Sequence, residues 1–179
     1  MRRDEFSVGD LVLAALLLGI GSVLHAVFPG VFAGMKPDFS LIMLFVVIML
    51  IPDKRIVAIA GIATGLITAL TTTFPGGQIP NIIDKLVTTA AVMALASVIP
   101  SRLKVPVVGV LGTLVSGVVF LSSATVLVGL PAPFMALVVS VVLPATAINT
   151  LSLLVLYPIT AKLYSAQRHR VANPAKAGQ

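Results

Sequence analysis

Six stretches of the chain are almost purely apolar, at 8–28, 39–51, 56–73, 82–99, 105–128 and 134–160. Between them the residues turn abruptly to Pro, Gly, Asp, Lys and Arg. Crossing the hydrocarbon core of a bilayer takes about 20 apolar residues in a helix. The pattern therefore predicts an all-α integral membrane protein, a bundle of about six transmembrane helices. The second stretch is short for a span, which predicts a helix with little tilt, an earlier start or a partly re-entrant course. The sixth is long and carries Pro144 and Pro158, which predicts a kink or break. The first follows MRRDE and resembles a signal peptide, but it is too long for a secretory h-region and lacks an A-x-A site, so it is read as a retained span. No internal repeat is visible.

Composition strengthens this picture. Of 179 residues, 58% are hydrophobic and 10% charged, against about 25% charged in an ordinary soluble domain. Such a chain cannot cover a water-facing surface. The expectation is one transmembrane domain over residues 1–164 and a basic tail without fixed structure over 165–179. Cysteine is absent, which removes disulfides, thiolate metal sites and a Cys nucleophile. Only two His are present and the only Glu is Glu5, with no H-E-x-x-H, P-loop or G-x-S-x-G motif. No catalytic site, metal or cofactor is expected, and ATP hydrolysis by this chain is excluded. The net charge of +6 comes with no solvated basic face carrying aromatics, so nucleic acid is not an expected partner.

The cations instead orient the bundle. With the N-terminus in the cytoplasm, Arg2, Arg3, Lys54, Arg55, Arg102, Lys104, Lys162, Arg168, Arg170 and Lys176 all fall inside, and only Lys36 and Lys85 fall outside. Ten of twelve cations on one side is a strong positive-inside signal, and it predicts N-in and C-in termini.

The two outer cations each lie beside an acid, in Lys36-Pro37-Asp38 and Asp84-Lys85. The second pair closes TTTFPGGQIPNIIDK (71–85), and a third outer loop, SSATVLVGLPAP (122–133), is rich in Ser, Thr, Gly and Pro. Polar, irregular backbone thus collects at one end of the bundle, where it survives only inside protein or around a wet cavity. Asn81, Asp84, Lys85 and Thr88 share one helix face at i, i+3, i+4 and i+7. Pro80 suits a first helical turn, so the N-terminus of the fourth span is an expected seat for a carboxylate. Thr64, Thr68, Thr71 and Thr72 run along the third span, and Thr146, Asn149 and Thr150 along the sixth. Structural roles compete at each position: an interfacial ion pair for Asp84 and Lys85, a solvated loop for Lys36 and Asp38, interhelical glue for Asn149, backbone bonding for the threonines, and a satisfied structural His for His25. Ala15-x-x-x-Gly19 and Gly61-x-x-x-Gly65 permit close helix approach, either within the bundle or to a partner protein.

GMKPDFSLIMLF (34–45), ALTTTFPGGQIPNIIDK (69–85), SGVVFLSSATVLVGLP (116–131) and VVLPATAINTLSLLVLYP (141–158) resemble, in order and spacing, the TrpP family of bacterial tryptophan transporters, over about residues 9–163. The resemblance implies tryptophan uptake across the bacterial cytoplasmic membrane. That family is in turn similar to the substrate-binding S-components of energy-coupling factor transporters, in which one transmembrane coupling protein and two ATPase subunits supply the drive. Such S-components dock through small residues of the first helix, a pattern that Ala15 and Gly19 match. A stand-alone transporter coupled to H⁺ or Na⁺ is the alternative.

A tryptophan zwitterion needs a cation or helix N-terminus for its carboxylate, for which Lys36 and Lys85 are candidates, and an acid for its ammonium, Asp84 first and Asp38 second. Asn81, Gln78 and Asn149 are candidates for the indole N–H, and Phe74, Phe120 and Tyr157 for the ring face. On this basis Asp84→Ala or Asn81→Ala is expected to abolish uptake and leave the fold intact.

Overall fold

The computed structural model describes residues 7–28 and 37–172, which form six helices with no strand among them. They are α1 (Val8–Val27), α2 (Phe39–Leu50), α3 (Lys54–Thr71), α4 (Gln78–Val98), α5 (Ser101–Leu127) and α6 (residues 134–172). All but α2 are long and apolar enough to cross a membrane. Polar caps set several boundaries. Ser7, Asp38 and Asp53 each accept a backbone N–H in the first turn of the helix that follows. Asp53 also holds the Arg55 guanidinium at 2.8 Å, and the Arg55 hydrogen bonds keep its carboxyl below the ordinary Asp range.

The short second stretch is not at the edge of the bundle. Helix α2 is the axis of the bundle and touches all five other helices. Residues from Phe39 to Ile48 are buried, and Ile42, Leu44, Phe45, Val46 and Val47 are fully so. Its uniform hydrophobicity follows from having no outward face. Twelve residues make a rod of about 18 Å, shorter than the bilayer core.

Glycine sets the closest approach between helices. A Cβ on Gly61 of α3 would lie 2.9 Å from the Cβ of Thr89 on α4. The Gly61-x-x-x-Gly65 pattern therefore works within the bundle. Ala15 and Gly19 do not: both are exposed on the outer face of α1, and a Cβ on Gly19 would meet nothing within 4 Å.

Both long C-terminal helices contain a five-residue π turn, Val108–Gly112 in α5 and Val138–Val142 in α6. The expected break in the sixth span takes this form. The helix continues through Pro144 and Pro158 to Ala172, and the π turn adjoining Pro144 is a local adjustment of the kind that re-pairs backbone groups freed by proline. Helix α6 runs on, and Arg168 reaches back to Asp10 of α1 at 2.9 Å while Tyr164 donates to the other oxygen of Asp10 at 3.1 Å. Asp10 is buried there, so this double tie fixes the start of α1 and the end of α6 at the same end of the bundle.

Candidate substrate site

A cavity of about 700 Å³ opens at the opposite end, a volume within the range of small-molecule sites. Its walls come from the end of α1, the start of α2, the end of α3 and its following loop, the first half of α4, and the facing stretches of α5 and α6. The 72–77 loop and Pro131 of the connection between α5 and α6 thus meet there, and Asp38 at the start of α2 lies in the cavity wall.

The 72–77 loop closes one side. Gly76 adopts a φ of +72°, a conformation that costs other residues a Cβ clash, and the N–H of Gly77 bonds to the carbonyl of Phe74. This turn brings Phe74 against Phe120 of α5, with ring centroids 5.3 Å apart and planes at 86°. The two rings form an apolar corner in the cavity wall.

A charged cluster lies deeper, from one face of α4. Lys85 and Asp84 are almost wholly buried, and Lys85 Nζ lies 2.6 Å from Asp84 Oδ2. Asp84 also holds two hydroxyls: Ser116 Oγ donates to Oδ2 at 2.9 Å and Thr88 Oγ1 to Oδ1 at 2.9 Å. Asp38 is different. Its Oδ1 caps Leu41 N–H at 3.0 Å and lies 3.8 Å from His25 Nδ1, and its Oδ2 is 3.6 Å from Lys85 Nζ. The last distance exceeds a direct hydrogen bond, and the Asp38 side chain is 31% exposed against 2% for Asp84. Two carboxylates thus share one lysine.

Of the nine substrate-binding candidates, seven line the cavity together: Asp38, Phe74, Asn81, Asp84, Lys85, Phe120 and Asn149. Gln78 is exposed and does not line it. Gly77 and Ile79 are also off the wall, so of the first turn of α4 only Asn81 lines the cavity. Lys36 lies outside the described residues. Tyr157 packs against the hydrophobic core instead. Asn149 is fixed by structure, its side-chain oxygen accepting the Asp38 N–H at 2.8 Å and so holding α2 to α6. Asn81 donates to the carbonyl of Gly77 at 2.8 Å. Thr64, Thr68, Thr71, Thr146 and Thr150 donate to carbonyls of their own helices, the backbone role weighed for them. His25 contacts Pro37 O at 3.3 Å and lines the cavity.

Sequence pattern alone does not single out Thr113 or Ser116. Yet Thr113, Ser116, Gly117 and Phe120 all line the cavity from α5, at the same i, i+3, i+4, i+7 spacing that marks the face of α4.

Comparison with known proteins adds a family to this geometry. The family model described as tryptophan transporter TrpP matches residues 7–164. The chain belongs to the TrpP tryptophan transporter family. Relatives named probable tryptophan transport protein include one from Bacillus subtilis, 49% identical over 153 residues, covering 84% of this chain and 89% of the relative. Another, from Clostridium acetobutylicum, is 44% identical over 151 residues, covering 82% and 88%. A third, from Clostridium perfringens, is 42% identical over 165 residues, covering 85% and 91%. No solved structure matches. The family match spans five of the six helices in full and reaches well into α6, and with the five long apolar helices it makes this a multi-pass membrane protein of a transport family.

Proposed function

We propose that the cavity captures tryptophan from outside the bacterial cytoplasmic membrane, with the amino-acid head at the charged cluster and the indole toward the aromatic corner. The observation that carries this is the unequal pairing of Lys85. Its contact with Asp84 is short and buried, while its contact with Asp38 is long and open to the cavity. A zwitterion fits into the longer pair in alternating order, its carboxylate on Lys85 and its ammonium on Asp38. Asp84 then acts by holding and orienting Lys85, and Asp38 becomes the acid that meets substrate, the reverse of the order expected from sequence. Phe74 and Phe120 offer edge and face to the indole, and Asn81, also on the wall, supplies the candidate acceptor for its ring N–H.

The drive comes from separate subunits in this proposal: the chain is the S-component of an energy-coupling factor transporter, with a coupling protein and two ATPases. The exposed small-residue face of α1 at Ala15 and Gly19, unused within the bundle, supports docking there. The positive-inside charge pattern supports N-in and C-in termini, with the cavity facing outward. Stand-alone coupling to protons is favoured by one observation only, the titratable His25 beside Asp38. Labelled L-tryptophan uptake in cells lacking their own tryptophan transport separates the two. Uptake that requires the coupling protein and ATPases supports the S-component role. Uptake that persists without them and collapses with a protonophore refutes it.

A further inference from the structure

Seven threonines are buried: Thr64, Thr68, Thr88, Thr89, Thr113, Thr146 and Thr150. Six of them donate either to a carbonyl of their own helix or, for Thr88, to Asp84. Thr113 does not. Its Oγ1 is the one buried side-chain polar atom without a hydrogen-bond partner among the described residues, although the residue is only 3% exposed. It follows directly on the π turn Val108–Gly112, and such turns recur at functional sites. It also lines the cavity, three residues before Ser116, whose Oγ is 3.3 Å from Lys85 Nζ.

A buried hydroxyl left unpaired is costly, and a helical threonine has its own carbonyls at hand. The structure assigns this hydroxyl to the substrate: we propose that Thr113 Oγ1 donates a hydrogen bond to the α-carboxylate of the bound amino acid, beside Lys85. Residues three apart on a helix face have Cβ atoms about 5–6 Å apart. Thr113 lies one helical turn before Ser116, whose Oγ is 3.3 Å from Lys85 Nζ, so the proposal puts one carboxylate oxygen on Lys85 and the other on Thr113 Oγ1. The pair thus forms a two-donor clamp that selects an α-carboxylate over an amine or an alcohol. This deepens the assignment of tryptophan to the cavity and rests on it for the identity of the ligand.

The test uses the full chain in detergent, with Thr113→Val as the near-isosteric variant lacking the hydroxyl, Thr113→Ala as a second, and Thr113→Ser as the variant that keeps it. Two ligands are titrated: L-tryptophan, and 3-benzothienyl-L-alanine, which keeps the amino-acid head but has no ring N–H. A hydrogen bond to a charged group corresponds to an affinity loss of about 10- to 150-fold. Thr113→Val and Thr113→Ala are expected to lose affinity in that range for both ligands, and Thr113→Ser to stay near wild type. Because the hydroxyl has no protein partner, the ligand-free melting temperature of Thr113→Val is expected to be unchanged or higher. A loss confined to L-tryptophan would place the hydroxyl on the ring nitrogen and overturn the clamp. Unchanged affinity for both ligands, or a lower ligand-free melting temperature in Thr113→Val, would overturn it as well. Failure of the wild type to bind either ligand counts against tryptophan as the substrate; the ligand-free melting temperature still reads the Thr113 hydroxyl in that case.

Discussion

Replacing each of the two cavity acids in turn separates a residue that builds the site from one that meets the ligand. Asp84→Ala removes the closest partner of a lysine that is itself 3% exposed, and strands the Ser116 and Thr88 hydroxyls that donate to the same carboxylate. Breaking one side of a buried ion pair costs about 3–5 kcal/mol. For a chain of this size a loss of 1 kcal/mol lowers the melting temperature by about 2–4 °C, so the expected drop is on the order of 10 °C. Asp84→Ala is therefore expected to lower stability as well as uptake, where sequence alone led to an expectation of lost uptake with the fold intact. Asp38→Asn is the opposite case. Asparagine caps a helix about as well as aspartate, so the Leu41 N–H keeps an acceptor and Lys85 keeps Asp84. The stability change is expected to be under about 1 kcal/mol. Loss of a charge-assisted contact to the ammonium is worth about 1.5–3 kcal/mol, or roughly 10- to 150-fold in affinity. Melting followed by size-exclusion chromatography reads the first quantity, and titration with L-tryptophan the second. Wild-type melting in Asp84→Ala, or wild-type affinity in Asp38→Asn, would refute this division of roles.

Three further outcomes follow from the packing. Asn149→Ala removes the acceptor of the Asp38 N–H, a loss of about 1–3 kcal/mol, visible as a melting temperature lower by several degrees with tryptophan affinity reduced alongside. Gly61→Val forces α3 from α4 at Thr89 and is expected to cost about 1–3 kcal/mol by overpacking, in the same melting assay. A Cβ at Gly19 meets nothing within 4 Å; Gly19→Leu is expected to leave melting and binding unchanged and to abolish uptake in cells that carry the coupling subunits, the signature of a lost docking face.

Much of this was legible in the chain because the membrane enforces simple rules. Apolar length located all six helices, and the polar runs at 71–85 and around Asp38 marked the end where the cavity lies. What sequence could not supply was three-dimensional partnership. A run such as FSLIMLFVVIML has the same composition whether it spans lipid or fills the centre of a bundle, so the axial position of α2 was hidden. Asp84 and Asp38 look alike as letters; only the hydroxyls of Ser116 and Thr88, one of them on another helix, show that Asp84 is the more fully bonded of the two. The π turns leave no clear mark beyond the nearby prolines Pro106 and Pro144. Thr113 was hidden among many threonines, most of which bond to their own backbone, and only the missing partner sets it apart.

The most direct test of the cavity as a tryptophan site uses the absence of Trp and the presence of only two Tyr in the chain. Purified protein is mixed with free L-tryptophan, and the emission and anisotropy of the ligand itself are followed, with phenylalanine and thiamine as competitors. A saturable blue shift with rising anisotropy, insensitive to both competitors, is the predicted result, because the indole passes from water into the corner formed by Phe74 and Phe120. No change with folded protein at micromolar concentration would contradict it.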